Sequence, residues 1–151
     1  MTYRVLFVCL GNICRSPSAE GVFAAMAQSN GIEVATDSAG TSDWHVGEPP
    51  YEPMQQAAAA RGYDLSRLRS RLFRTADFSQ FDLLIGMDND NIVNMERLRP
   101  SGNTTPVRLF TDFATETGAD HVPDPYYTRD FEGALDLIET AARGLLKHIS
   151  V

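Results

Sequence analysis

The chain of 151 residues is long enough for one domain with a buried core, and 43% hydrophobic against 22% charged is the balance of a globular fold. Its formal net charge of −7 argues against general attraction to nucleic acid or an anionic membrane, though a local nest of amides can still hold one phosphate. No stretch nears the roughly 18 uninterrupted apolar residues of a membrane span, and Met1-Thr2-Tyr3-Arg4-Val5 lacks the layout of an export signal, so a cytoplasmic location is expected.

Arg4 to Leu10 is an apolar run suited to a strand buried on both faces. Ser16-Pro17 then offers a helix cap followed by proline at the first helical position, with Ala19, Val22, Phe23, Met26 and Ala27 as the apolar stripe and Asn30-Gly31 as the stop. Glu33 to Asp37 is a second, short strand. Ser38 to Pro53, with two glycines and three prolines, is a long loop of the kind that often carries function. Met54 to Arg61 is an alanine-rich helix stopped by Gly62, and Phe81 to Met87 is a third strand. Asp88 caps a helix carrying Ile92, Val93, Met95 and Leu98 before Pro100. Val107 to Phe110 is a fourth strand, Thr111 to Arg129 a second long loop, and the final helix shows Phe131, Ala134, Leu135, Ile138, Ala142, Leu145 and Ile149 on one face. Strands alternating with helices imply a parallel sheet covered on both faces, with ligands beyond the carboxyl ends of its strands.

The loop at the end of the first strand reads Cys9-Leu10-Gly11-Asn12-Ile13-Cys14-Arg15-Ser16. Five residues between a cysteine and an arginine can curl so that their amides converge, with Gly11 permitting an unusual dihedral. The following helix adds the positive end of its dipole, and Arg15 adds a planar fork for two phosphate oxygens. That field favours the thiolate of Cys9 as a nucleophile toward phosphorus, and Ser16 either stabilises it or merely caps the helix. Farther on, Val122-Pro123-Asp124-Pro125-Tyr126-Tyr127 holds one acid on a stiff backbone, with Pro125 biasing Asp124 to an extended conformation. Asp124 is the candidate to protonate a leaving oxygen and then to activate water. Tyr126 and Tyr127, with Trp44 facing them from the first long loop, would form a slot for a flat ring. The three histidines, His45, His121 and His148, have no metal-binding spacing and are expected to lie in solvent or in ordinary hydrogen bonds.

Cys9 through Pro17, Asp37-Ser38-Ala39-Gly40-Thr41, Met87-Asp88 and Asp124-Pro125-Tyr126-Tyr127 together resemble, in order and spacing over nearly the whole chain, the low-molecular-weight protein tyrosine phosphatase family. The resemblance implies one α/β domain over residues 1–151, with a four-stranded parallel sheet and helices on both faces, and neither metal nor organic cofactor. It implies hydrolysis of phosphotyrosine in proteins through a cysteinyl-phosphate on Cys9, with Arg15 binding phosphate and Asp124 as general acid and base. Leu10, Gly11, Asn12, Ile13, Cys14, Ser16, Trp44, Tyr126 and Tyr127 would bind substrate, with Asn12 shaping the loop. Cys14 matches the second cysteine that in relatives pairs with the nucleophile and protects it from oxidation. The expected partners are phosphotyrosine-containing proteins, with a tyrosine kinase among the candidates, and the expected state is a monomer free of nucleic acid and membrane. Relatives often place a histidine near Leu68 and a glutamine near Leu72; that histidine helps hold the loop asparagine, so Asn12 needs other support here. Three rivals follow from the same motif. A protein arginine phosphatase would carry threonine where Ile13 stands, an arsenate reductase would need further cysteines after Cys14, and a phosphate-binding module without turnover would lack the nucleophile or the acid.

Overall fold

In the computed structural model, which describes residues 2–150, the first apolar run becomes β1 (Tyr3–Cys9). It lies inside a four-stranded, all-parallel sheet of order β2-β1-β3-β4, with β2 (Val34–Gly40), β3 (Leu83–Gly86) and β4 (Val107–Leu109). Paired along both edges, β1 alternates its side chains between two apolar layers. Val5, Phe7 and Cys9 enter the larger layer with α1 (Arg15–Ser29) and α6 (Phe131–Ile149). Leu6 and Val8 enter the smaller one with Phe73, Phe78 and Met95. Helices therefore cover both faces, as expected.

The remaining helices are α2 (Glu52–Ala60), α3 (Asp77–Gln80), α4 (Asn89–Glu96) and α5 (Pro125–Thr128). Several boundaries differ from the sequence reading, each for a physical reason. β2 runs past the expected end at Asp37 because Ser38, Ala39 and Gly40 pair with Phe7, Val8 and Cys9. α2 starts before Met54, with Pro53 in its first turn, where a missing N–H costs no helical bond. α4 has the expected Asp88 cap, completed by Asn91, but stops at Glu96, short of Leu98. Two 3₁₀ turns, Phe110–Phe113 and Thr115–Thr117, and α5 break up the long loop read after the fourth strand.

One difference bears on chemistry. α1 starts at Arg15, with Cys14 at the cap position and no side chain capping it. Ser16 is not the cap: it sits in the first turn, 3.0 Å from the Cys9 sulfur. The chain leaves β1 toward β2 and returns to β3 on the other side, so the loops after β1 and β3 diverge and open a crevice at the carboxyl ends. The loop containing Cys14 and Arg15 lies there.

Candidate active site

The phosphate loop departs from ordinary backbone at one residue. Asn12 is left-handed (φ 57°), whereas the sequence pointed to Gly11 for the unusual dihedral. Asparagine tolerates this region better than most side chains. Gly11 is needed for space instead, since a Cβ there would stand 3.2 Å from the His45 ring. The Asn12 amide donates to Cys9 Sγ at 3.2 Å, while those of Gly11, Ile13 and Cys14 meet no protein acceptor among the described residues. Unspent amides ahead of a fifteen-residue helix make an anion cradle.

Behind the cradle a hydrogen-bond chain orients the Asn12 side chain. The Arg71 amide donates to Asn12 Oδ1 at 3.0 Å, so the Asn12 side-chain nitrogen must point the other way. It donates to Ser16 Oγ at 2.7 Å and to Ser38 Oγ at 3.0 Å. Ser38 in turn donates to Glu20 Oε1 at 2.7 Å, and Ser16 Oγ lies 3.0 Å from Cys9 Sγ, a contact in which the hydroxyl is the donor when the sulfur is a thiolate. Burial pushes the Glu20 carboxyl up to about 7, with Asp37 adding to the rise and the Ser38 hydroxyl and Arg71 opposing it. The segment carrying Arg71 is strapped to the sheet: Gly40 donates to the Arg71 carbonyl at 2.8 Å, and Phe73 donates back to Gly40 at 2.7 Å. Its guanidinium binds Asp37 at 3.0 Å and the fully buried Asp77 at 3.1 Å. This strap, through the Arg71 amide, supplies the support expected for Asn12.

Arg15 is only 3% exposed and reaches the crevice from the start of α1. Its Nη1 donates to Asp88 Oδ2 at 2.7 Å and to the Val122 carbonyl at 3.1 Å. Its Nη2 has one long bond, 3.5 Å to Asp124 Oδ2. Burial alone would weaken the guanidinium's hold on its proton, but the Cys9 sulfur and the two carboxylates outweigh it and raise its pKa above the ordinary value. Asp124 has the extended backbone that Pro125 requires, and its Oδ1 caps α5 by accepting from the Tyr126 amide at 3.1 Å. Both cysteines are free and buried. Burial first, then Asp124 and Cys9, push the Cys14 thiol up, so it is held protonated and is a slow attacking thiol at neutral pH.

These groups surround a cleft lined by residues 9–15, Trp44, His45, Asp124, Tyr126 and Tyr127. Every site residue expected from the sequence lines it except Ser16, which is buried behind it. Trp44 and Tyr127 are 66% and 69% exposed, an open rim rather than a closed slot. His45 also approaches Tyr126, with centroids 6.5 Å apart; its Nδ1 lies 3.0 Å from Glu48 Oε2, an ordinary hydrogen bond of the kind expected, but its place in the cleft wall was not foreseen. Tyr51, also unforeseen, supports Tyr126 from the other side at 5.1 Å, its hydroxyl accepting from Arg129 at 3.0 Å. Asp88 was read as a helix cap and, with Met87, as part of the family resemblance; nothing local announces that its second oxygen holds Arg15. Among the described residues no group of three or more histidine, cysteine, aspartate or glutamate side chains could hold a metal ion.

The model of the low molecular weight phosphotyrosine protein phosphatase family matches residues 4–151. The low molecular weight protein-tyrosine-phosphatase YfkJ of Bacillus subtilis is 40% identical over 147 residues, covering 96% of this chain and 94% of that protein. A low molecular weight protein-tyrosine-phosphatase of Streptomyces coelicolor is 43% identical over 153 residues, covering 97% and 93%. The crystal structure of YfkJ superposes with a TM-score of 0.94 over 99% of this chain and 96% of that one, at 38% identity. A drosophila arginine phosphatase has the same architecture at a TM-score of 0.92 and 28% identity, covering 97% and 98%.

Proposed function

The chain belongs to the low molecular weight phosphotyrosine protein phosphatase family, and from that premise we propose that it hydrolyses phosphotyrosine in proteins through a phosphate ester on Cys9. The observation that carries the reading is the surroundings of the Cys9 sulfur: the Asn12 amide donates to it at 3.2 Å, and the Ser16 hydroxyl, 3.0 Å away, donates to it once it is a thiolate. Two donors aimed at sulfur stabilise a thiolate both as attacking and as leaving group. The phosphate oxygens rest on the unspent amides and on the Nε–Nη2 edge of Arg15, whose Nη1 side is already anchored.

In the first step the Cys9 thiolate attacks phosphorus, the bond from phosphorus to the tyrosine oxygen breaks, and Asp124 donates its proton to that oxygen. In the second, ionised Asp124 takes a proton from water, whose oxygen attacks phosphorus. The sulfur–phosphorus bond breaks, phosphate leaves, and the thiolate is restored. Ile13, buried in the cleft wall, presents apolar surface to an aromatic ring, which favours phosphotyrosine over phosphoarginine.

Phosphotyrosine, phosphoserine and phosphoarginine peptides assayed side by side test the reading: fast turnover of the first alone is expected. Cys9→Ser should abolish turnover while phosphate still binds. Asp124→Ala should slow phosphotyrosine by about 10²–10⁴-fold but p-nitrophenyl phosphate far less, because p-nitrophenol leaves without help. Preference for phosphoarginine, or full activity in both variants, would sink the proposal.

A further inference from the structure

A second depression shares Leu10 with the phosphate cleft and is otherwise lined by Thr41, Phe73, Asn94, Arg97 and Leu98. We propose that it is a substrate subsite for a carboxylate-bearing residue, aspartate or glutamate, a few positions from the phosphotyrosine; this rests on the tyrosine phosphatase reading above.

Three observations support it. First, the wall between the two hollows is fixed: Thr41 donates its amide to the Cys9 carbonyl at 2.9 Å, and Ser42 donates both its amide and its hydroxyl to the Leu10 carbonyl at 3.0 Å. The two hollows share Leu10, and a residue a few positions from a phosphotyrosine in an extended peptide, advancing about 3.3–3.6 Å per position, can span between them. Second, the hollow holds unspent polar capacity. Arg97 donates to Asn94 Oδ1 at 2.9 Å but has no carboxylate among the described residues within salt-bridge distance, whereas Arg99, two positions on, closes on Glu96 at 2.6 Å.

Third, the charge around the crevice is asymmetric. The hollow beyond Arg15 is lined by Asp88, Asp90 and Asp120, which repel an acidic side chain, while Arg97 attracts one. Leu98, 42% exposed, and the buried Phe73 offer apolar surface to the methylene stem of the acid. Charge complementarity thus selects an acidic neighbour over a basic one.

The test is kcat/KM over phosphotyrosine peptides in which each of three positions on either side of the phosphotyrosine is Ala, Glu or Lys in turn. At one position wild type should prefer Glu over Lys by about tenfold, declining at high salt. Arg97→Ala should lower that preference by about threefold and Arg97→Glu should invert it, with p-nitrophenyl phosphate turnover unchanged in both. Turnover without flanking preference, or a preference that Arg97→Glu leaves intact, overturns the subsite. So does an equal loss on p-nitrophenyl phosphate, which would place Arg97's effect on the phosphate loop itself. Failure of wild type on every phosphotyrosine peptide would instead overturn the phosphatase reading, and the subsite with it.

Discussion

Asn12 directs the site from a left-handed backbone (φ 57°), a conformation that costs of order 1–3 kcal/mol and persists where surroundings over-determine it. Here the Arg71 amide, Ser16 and Ser38 do so, and the gain is two hydroxyls held against set partners. One partner is the Cys9 sulfur; the other is Glu20, which is buried and, among the described residues, hydrogen-bonded only to Ser38. Burial lifts the Glu20 carboxyl from 4.5 to about 7, so the folded state prefers it protonated. A raised acid stabilises the fold fully below its unfolded value near 4.5 and loses that contribution as pH climbs through about 7. Glu20→Gln keeps an oxygen for Ser38 and removes the titration. Relative to this variant, wild type should lose on the order of 3 kcal/mol between pH 5 and pH 8.5. Chemical denaturation of both proteins across that range measures it, and parallel curves would show that Glu20 ionises as freely as in the unfolded chain.

At the scale of elements, one carboxylate joins α4 to the phosphate site. Asp88 Oδ1 accepts from the Asn91 amide at 2.8 Å to cap α4, while Oδ2 holds Arg15 at 2.7 Å. Asparagine has one oxygen, so Asp88→Asn can keep the cap but must turn its amide hydrogens toward Arg15, freeing the guanidinium to swing onto Asp124. Inorganic phosphate should then inhibit about tenfold more weakly with little change in Tm. Asp88→Ala should add the loss of the cap, about 1 kcal/mol. Unchanged inhibition in the asparagine variant would confine Asp88 to the helix. Asp88 also shows where local reading stops. Its cap was legible because capping is encoded within four residues; its bond to Arg15 spans 73 positions and has no local mark. Similarly β1 and α6 were visible in long apolar patterns, while Ser38-Ala39-Gly40 are strand only because β1 pairs with them. α3 is four residues long, and the buried Asp77 in its first turn is paired with Arg71. The contiguous loop at residues 9–15 was read almost whole. His45, Tyr51, Glu20 and Arg71 enter the site from elsewhere in the chain, joined to it only through folded contacts.

Across the whole molecule, the strand order gathers these distant contributions at one end of the sheet. Cys9 ends β1, Arg15 starts α1, its partner Asp88 precedes α4, Asp124 precedes α5, and the strap at Arg71 locks onto the last residue of β2. Both apolar layers abut this end, through Cys9, Ile13 and Met87 on one face and Val8, Ala39 and Phe73 on the other. A ligand held there is therefore coupled to the full cooperative unit rather than to a loop, and it should raise the melting point of the entire domain in a single transition. At a hundredfold excess over its Kd, phosphate binding only to the folded state adds about 2.7 kcal/mol, which for a domain of this size is a rise of roughly 5–10 °C. Cys9→Ser should retain that rise, since the cradle amides and Arg15 remain. Arg15→Met should lose most of it, being left with amides alone against a dianion. Differential scanning fluorimetry with phosphate, and with sulfate as a second oxyanion, measures all three proteins. A biphasic melt, or an equal rise in Arg15→Met, would mean that the anion binds elsewhere or grips only a local segment.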